Sequence, residues 1–206
     1  MRFELPSVLR ALSLRDETHR RFAAFAAAAC AFDLATKEVA VRALGSTGYV
    51  ELADRLALML VWNTGSVGGS MVGALTWQLS AVMTVLAIGL VMSVVGPMAA
   101  FDRRAVPALG LVSGGAIGNL ASMMAGPPGV ADFIGIRLSS DLTMVANVAD
   151  FALWGGAALL VPVALTLVRL ARAERAQRAA LRAAPRTAVL NARHPAGDQP
   201  ARSGCN

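Results

Sequence analysis

Two aspartates stand in apolar segments of this chain, where a charged side chain is unusual. Asp132 lies in "GVADFIG" and Asp150 in "ANVADFALW", and each follows an alanine and precedes a phenylalanine. A buried carboxylate without a cationic partner has a raised pKa, and two carboxylates held close together share one proton, so that one acts as acid and the other as base. Such a pair activates water for peptide hydrolysis without a metal. The alternative is that Asp150 only caps a helix N-terminus, where aspartate is favoured.

Three more polar residues lie in or beside apolar sequence. Asp33 and Lys37 are four residues apart in "FDLATKE", which places them on one face of a helix, where they can form an ion pair. We expect this pair to have a structural role. Asn63, in "WNTGS", can donate and accept hydrogen bonds, and it either caps a loop or contacts a substrate.

A fourth polar residue, Asn119, follows three glycines in "SGGAIGNLASMM". Gly114, Gly115 and Gly118 form a small-residue face that permits close contact between helices. Packing explains the glycines, but it does not explain an asparagine in the same apolar run.

The elements that must position these residues are long apolar stretches. The chain has 206 residues, of which 56% are hydrophobic and 16% charged, whereas soluble domains are about 45–50% apolar and about 25% charged. Four stretches are close to the ~20 residues that a helix needs to cross a bilayer; they run from about Phe22 to Ala43, Leu79 to Phe101, Ala105 to Met124 and Val145 to Val168. We read the first as a retained helix and not as a signal peptide, because it is too long and has no clear cleavage site.

These stretches predict an all-α integral membrane protein with four transmembrane helices. Most of the nineteen Lys and Arg residues lie before the first stretch, between the second and third, or after the fourth, so both termini are expected in the cytoplasm. The segments Leu44–Thr76 and Gly126–Met144 then face outward. We expect a small extracytoplasmic β-like or loop region between helices 1 and 2, where "LALMLVW" is a short strand or an interfacial segment.

The domain organisation predicted from this pattern has three parts. Residues 1–21 form a cytoplasmic N-terminal segment, residues 22–168 a four-helix membrane domain, and residues 169–206 a basic cytoplasmic tail that is partly disordered. The net charge of +6 reflects the arginines that flank the membrane helices, so we expect membrane lipids and not nucleic acid as the partner of the basic segments. The histidines and cysteines form no cluster, and neither a metal nor a cofactor is expected.

The order of these motifs resembles that of the lipoprotein signal peptidase family, also called signal peptidase II, a family of membrane aspartic peptidases. The resemblance covers roughly Phe22 to Val168 and rests on "DLATK", "NTGS", "GGAIGNL", "VADFI" and "NVAD", in that order. It implies an aspartic endopeptidase of the bacterial inner membrane that removes signal peptides from diacylglyceryl-modified prolipoproteins at the outer face of the membrane, without a cofactor.

The resemblance also implies a role for each matching residue. Asp132 and Asp150 fall where the family has its catalytic aspartates. The matches to substrate-binding or supporting positions are Asn119, Asn147, Asn63, Gly65, Asp33 and Lys37.

One departure from the family pattern keeps a second hypothesis open. The third-helix motif of the family continues with an Asp–Arg pair, and this chain has Ser122 and Met123 there. The alternative is therefore a catalytically impaired or repurposed paralogue that binds lipoproteins or serves as a subunit of a membrane complex. A small transporter or channel subunit is less favoured, because internal repeats are not evident.

Overall fold

The fold combines four helices with one small sheet. The computed structural model describes residues 5–46, 48–64, 76–125 and 129–183. In chain order the elements are α1 (Leu5–Leu44), β1 (Tyr49–Ala53), β2 (Leu56–Asn63), α2 (Thr76–Phe101), α3 (Ala105–Ala125), β3 (Val130–Arg137), β4 (Thr143–Ala146) and α4 (Val148–Ala183). The chain divides into two compact units between Ala164 and Leu165, and the described part of the second unit is helical.

Three segments within the described residues are long and apolar enough to cross a membrane. They are Gln78–Phe101 in α2, Ala105–Ala125 in α3 and Val148–Arg182 in α4. The first predicted span lies within α1, but the C-terminal part of this helix also carries Asp33, Lys37, Glu38 and Arg42. Length and composition alone therefore support three of the four predicted spans.

Helix α3 packs between α1 and α4 through the glycines that the sequence singled out. A Cβ atom at Gly114 would lie 2.7 Å from the Cβ of Ala29 in α1, and one at Gly115 would lie 2.6 Å from the carbonyl oxygen of Ala149 in α4. Such distances are shorter than any side chain tolerates, so glycine is what lets the helices approach this closely. The predicted small-residue contact is confirmed, and it serves two neighbouring helices.

The sheet has four antiparallel strands in the order β1-β2-β3-β4. Within it, β2 contains the predicted strand "LALMLVW". The prediction of an all-α fold with β-like structure only between helices 1 and 2 is wrong in its extent, because β3 and β4 come from the segment between α3 and α4. The physical reason is that β2 needs a backbone partner on each side, and β3 provides one, with Leu58 opposite Ile134 and Asn63 opposite Val130.

The sheet is attached to the end of α1 by a small apolar cluster. Ala40 and Leu44 of α1 are buried together with Phe133 of β3, and Leu58 and Ile134 pack against them. Because side chains alternate along a strand, the residue before Phe133 points to the other face of β3. That residue is Asp132.

Candidate active site

Strands β2 and β3 bring the first two polar residues of the site together. Asn63 is the last residue of β2, and Asp132 is the third residue of β3. The strands are antiparallel neighbours, and the side-chain amide of Asn63 donates to Asp132 Oδ2 at 3.2 Å. These residues are 69 positions apart in the chain, and the pairing of β2 with β3 brings them together.

The N-terminus of α4 supplies the second carboxylate. Asn147 immediately precedes the helix, and Asp150 lies in its first turn. The Asp150 N–H donates to Asn147 Oδ1 at 3.1 Å, and the Asn147 N–H donates to Asp150 Oδ2 at 3.0 Å. This reciprocal arrangement is a capping box, so Asp150 does cap α4, as one reading of the sequence proposed.

The capping box does not exhaust the role of Asn147. Its side-chain amide donates to Asp132 Oδ1 at 2.5 Å, while its backbone N–H donates to Asp150. One buried residue, 1% exposed, thus contacts both carboxylates. The two aspartates predicted from sequence meet around Asn147.

An ion pair on α1 supports the other side of Asp150. The Lys37 ammonium lies 2.6 Å from Asp33 Oδ2, and both side chains are almost completely buried. Lys37 also donates to Asn119 Oδ1 at 2.7 Å, and the Asn119 amide donates to Asp150 Oδ1 at 3.2 Å. The charge of Lys37 is therefore connected to the Asp150 carboxylate through one amide group.

Asp33 connects α1 directly to α4. Its Oδ1 atom accepts a hydrogen bond from the Ala149 N–H at 2.8 Å, one of the donors in the first helical turn that has no partner within the helix. The pair predicted from the spacing of Asp33 and Lys37 is present, and each partner also bonds to a residue on another helix.

The two carboxylates differ in their surroundings. Asp132 is only 5% exposed, and this burial raises its pKa; the nearby charge of Asp150 acts in the same direction, while the hydrogen bonds from Asn147 and Asn63 oppose it. Asp150 is half-buried and lies at the positive end of the α4 dipole, which favours a negative charge. The two carboxylates therefore lie in different environments, Asp132 buried on a strand and Asp150 half-buried at a helix N-terminus.

Two supporting residues were missed as such from the sequence. The hydroxyl of Ser122, at one of the positions that depart from the family pattern, accepts a hydrogen bond from the Ala131 N–H at 3.4 Å, next to Asp132. Gly129 has φ of 125°, a conformation that favours glycine, and a Cβ there would lie 2.6 Å from the carbonyl oxygen of Asn63. The glycine directly before an apolar run was the available signal for a tight approach.

The other residues expected at the site fall into two groups. Asn119 and Asn147 lie in the network, as do Asn63, Asp33 and Lys37. Gly65 lies outside the described residues. Within the described ranges, no group of three or more His, Cys, Asp or Glu residues is placed to hold a metal ion.

This arrangement is suited to acid–base chemistry on a polar bond. A carboxyl group that holds its proton can donate it to a carbonyl oxygen, while a neighbouring carboxylate accepts a proton from water. Donors from Asn63, Asn119 and Asn147 fix the orientation of both groups.

Comparisons with known proteins find similarity to lipoprotein signal peptidases. The family model for signal peptidase (SPase) II matches residues 25–166. A lipoprotein signal peptidase of Mycolicibacterium smegmatis is 35% identical over 144 residues, which are 65% of this chain and 56% of that protein. The lipoprotein signal peptidase of Mycobacterium avium is 35% identical over 151 residues, which are 68% of this chain and 76% of that protein. The match therefore spans little more than half the length of the first relative.

Solved structures share the fold. A structure described as a bacterial membrane enzyme, determined by the in meso method at 2.3 Å resolution, superposes with a TM-score of 0.58 at 22% sequence identity and covers 68% of this chain and 85% of that chain. A second, at 1.9 Å resolution, has a TM-score of 0.57.

Proposed function

Because the chain belongs to the signal peptidase II family, we propose that it is a membrane aspartic endopeptidase that removes signal peptides from diacylglyceryl-modified prolipoproteins. The observation that carries this proposal is the shared contact of Asp132 and Asp150 with Asn147. It is what a pair of carboxylates needs in order to act on one bond in concert.

In the proposed reaction Asp150 is the base and Asp132 the acid. A water between the carboxylates gives a proton to Asp150 as its oxygen bonds to the scissile carbonyl carbon, and Asp132 gives its proton to the carbonyl oxygen. When the carbon–nitrogen bond breaks, Asp150 passes its proton to the leaving nitrogen, and Asp132 recovers a proton from the hydroxyl that becomes the new carbonyl. No proton is gained or lost over the cycle.

The assignment of these roles follows from the partners of each carboxylate. Asp150 lies in the first turn of α4, next to the positive end of the helix dipole, and the Asn119 amide links it to Lys37. Asp132 lies on a strand and is almost fully buried, which favours its protonated form.

We also propose four membrane spans with both termini in the cytoplasm, in a bacterial inner membrane. Helix α1 is the fourth span. Its central charges are neutralised as a buried ion pair, which lowers the free energy needed to place them in a membrane. Its exposed surface carries Phe25, Phe32 and Val39, whose side chains are 43%, 63% and 66% exposed, as expected of a helix that faces lipid.

We further propose that the chain has three parts. Residues 1–21 would be a cytoplasmic segment, residues 22–168 the peptidase domain, and residues 169–206 a basic cytoplasmic tail near anionic lipids. In the described part of this tail, Arg178 pairs with Glu174 on the helix surface, and its remaining arginines face solvent.

A second candidate is favoured by Ser122 and Met123, which stand where the family has an Asp–Arg pair. In that case the chain would be a paralogue that binds lipoproteins without cleaving them. Ser122 still connects α3 to the strand of Asp132, so this departure leaves the position of the carboxylate supported.

Complementation separates the two candidates. The full chain is expressed in a bacterium depleted of its own lipoprotein signal peptidase, and the mass of a reporter lipoprotein is followed. We expect mature lipoprotein and restored growth. Unprocessed precursor, despite membrane levels of the protein equal to those of a functional control, would favour the paralogue.

A further inference from the structure

A small recess beside the β1–β2 and β3–β4 turns carries two arginines that the proposed mechanism does not use. It has a volume of about 120 Å³, and its polar side chains are Tyr49, Arg55, Arg137 and Thr143. Arg55 lies in the turn between β1 and β2, and Arg137 is the last residue of β3. The Arg137 N–H donates to the carbonyl oxygen of Arg55 at 2.9 Å, and this contact places the two arginines side by side.

Neither guanidinium group has an anionic partner among the residues that the structure describes. No carboxylate in those ranges lies within 4.0 Å of Arg55 or Arg137, and both side chains are exposed. Arg137 Nη1 donates to the carbonyl oxygen of Asp54 at 3.3 Å. The exposed carboxylates of the neighbouring turns and strand, Glu51, Asp54 and Asp141, do not line the recess. Because a guanidinium group binds two oxygens of one phosphate or carboxylate, the recess is suited to such an anion.

The distribution of basic residues along the chain makes this pair unusual. The segments that we expect to face outward, Leu44–Thr76 and Gly126–Met144, contain one Lys or Arg residue each, and these residues are Arg55 and Arg137. Basic residues are concentrated on the cytoplasmic side of membrane proteins. Two arginines on the opposite side that line the same recess, although they come from distant segments, indicate a common anionic ligand.

The recess lies on the side of β3 that faces α1. Phe133 packs with Ala40 and Leu44 near the C-terminal end of this helix. Because side chains alternate along a strand, Arg137 projects from the same side of β3 as Phe133, and Asp132 projects from the other. In the proposed topology the C-terminal end of α1 is its outer end. This side of the sheet is therefore expected at the level of the lipid headgroups.

Exposed leucines accompany the two arginines. Leu52, Leu138 and Leu142 are each more than half exposed, and each is adjacent in sequence to a residue that lines the recess. Exposed apolar side chains next to basic ones are typical of surfaces that lie in a membrane interface, where the apolar groups enter the acyl boundary and the basic groups meet phosphates.

We infer that this recess binds the phosphate group of a phospholipid in the outer leaflet of the membrane. The inference rests on the proposed function, because the proposed topology brings the sheet to that leaflet. The guanidinium groups of Arg55 and Arg137 bind the phosphate oxygens, and the neighbouring leucines contact the acyl chains. A carboxylate of a bound peptide would account for the arginines but not for the leucines.

The bound phosphate fixes the position of β3 relative to the membrane. Arg137 and Asp132 belong to the same strand, and their separation of five residues corresponds to about 17 Å in an extended chain. A lipid contact at one end of β3 therefore holds the candidate catalytic carboxylate at the other end at a constant depth.

Photolabelling of the purified full chain tests this site without requiring cleavage. The protein is kept in dodecyl maltoside, which contains no phosphate, and phosphatidylglycerol with a photoreactive diazirine on its headgroup is added at a low concentration. Labelled residues are mapped by mass spectrometry. We expect labelling at Tyr49, Met59 or Thr143, which line the recess, and displacement of the label by an excess of unlabelled phosphatidylglycerol.

Variants of the arginines identify the groups that bind. Labelling of the recess is expected to fall about tenfold in Arg55→Gln and in Arg137→Gln, as is typical when a hydrogen bond between charged groups is lost. Arg42→Gln is the matched control, because Arg42 is a highly exposed arginine near the outer end of α1 that pairs with Glu38 and does not line the recess. Circular dichroism checks the fold of each variant. Arg55→Gln is decisive if Arg137→Gln, which also loses the contact with Asp54, does not fold.

Four outcomes would overturn the inference. They are equal labelling in Arg55→Gln and wild type, equal labelling by a phosphate-free diazirine diacylglycerol, displacement by glycerol phosphate as effective as that by phosphatidylglycerol, and displacement by an acidic peptide but not by phosphatidylglycerol. The third would assign the recess to a soluble phosphate and the fourth to a peptide. Loss of labelling in both arginine variants supports the inference even if the protein cleaves no lipopeptide.

Discussion

The side-chain amide of Asn147 lies 2.5 Å from Asp132 Oδ1 and ties strand β3 to the N-terminus of α4. Since the backbone of the same asparagine bonds to Asp150, the spacing of the two carboxylates is set by one buried residue. The two carboxyl groups that it connects lie in different environments, Asp132 on a buried strand and Asp150 at a helix N-terminus.

Replacement of Asn147 should separate its two roles. In Asn147→Ser the shorter side chain still caps a helix but does not reach Asp132. A hydrogen bond to a charged or reacting group contributes about 1.5–3 kcal/mol, so the rate of cleavage is expected to fall about 10- to 100-fold. The rate is measured with a diacylglyceryl lipopeptide, and thermal unfolding in detergent provides the control. An unfolding midpoint like that of the wild type with an unchanged rate would contradict the bridging role.

The pH dependence should respond to Asn63. Its hydrogen bond to Asp132 favours the ionised form of that carboxylate and so opposes the rise in its pKa that burial causes. In Asn63→Leu the bond is lost, and the pKa of Asp132 is expected to rise further. Because Asp132 is proposed to act as a protonated acid, the alkaline limb of the kcat/KM profile should move to higher pH. A movement of the acidic limb to higher pH, with the alkaline limb unchanged, would show instead that Asp132 has to be ionised.

The sequence predicted the helices of this fold better than the sheet. Apolar runs of about twenty residues locate α2, α3 and α4 without knowledge of their neighbours. The pairing of β2 with β3 is different, because Asn63 and Asp132 are 69 residues apart, and no local pattern specifies which strand will satisfy the backbone of β2. For this reason the all-α expectation failed at the segment after α3.

The site was predictable in its residue types and not in its contacts. The positions of Asp132, Asp150 and Asn147 followed from motifs, whereas the bridge through Asn147 depends on how β3 meets α4. The contact of Ser122 with Ala131 likewise requires the end of α3 to lie beside the start of β3. The roles of these residues stay predictions until variants are assayed.

The buried ion pair on α1 should behave differently from an exposed one on the same helix. Lys37→Met leaves Asp33 buried without its cation, which typically costs about 3–5 kcal/mol. Arg42→Ala breaks the ion pair with Glu38, which has the same i, i+4 spacing but side chains that are 78% and 59% exposed. Loss of such an exposed pair typically lowers the free energy of unfolding by about 0–1 kcal/mol. Unfolding in detergent compares the two variants.

A double variant sharpens this comparison. Asp33→Asn together with Lys37→Met removes the unpaired charge but keeps an oxygen for the Ala149 N–H. It should be more stable than Lys37→Met alone. A double variant that is less stable than the single one would contradict the ion-pair argument.

The contact of α3 with α1 should be intolerant of one methyl group. In Gly118→Ala the new Cβ would lie 2.5 Å from Asp33 Oδ2, and overpacking of this kind typically costs about 1–3 kcal/mol. In Gly89→Ala nothing lies within 4 Å of the new Cβ, so the variant should gain stability from helix propensity. If both variants unfold at the wild-type temperature, the close contact between Gly118 of α3 and Asp33 would be contradicted.

The measurement that tests the central claim most directly is cleavage of a diacylglyceryl prolipopeptide by the purified, reconstituted full chain. Wild type, Asp132→Asn and Asp150→Asn are compared by mass spectrometry of the products, with circular dichroism as the control for folding. We predict a single cut before the lipidated cysteine by the wild type and no cut by either variant. Wild-type rates in Asp132→Asn or Asp150→Asn would contradict it.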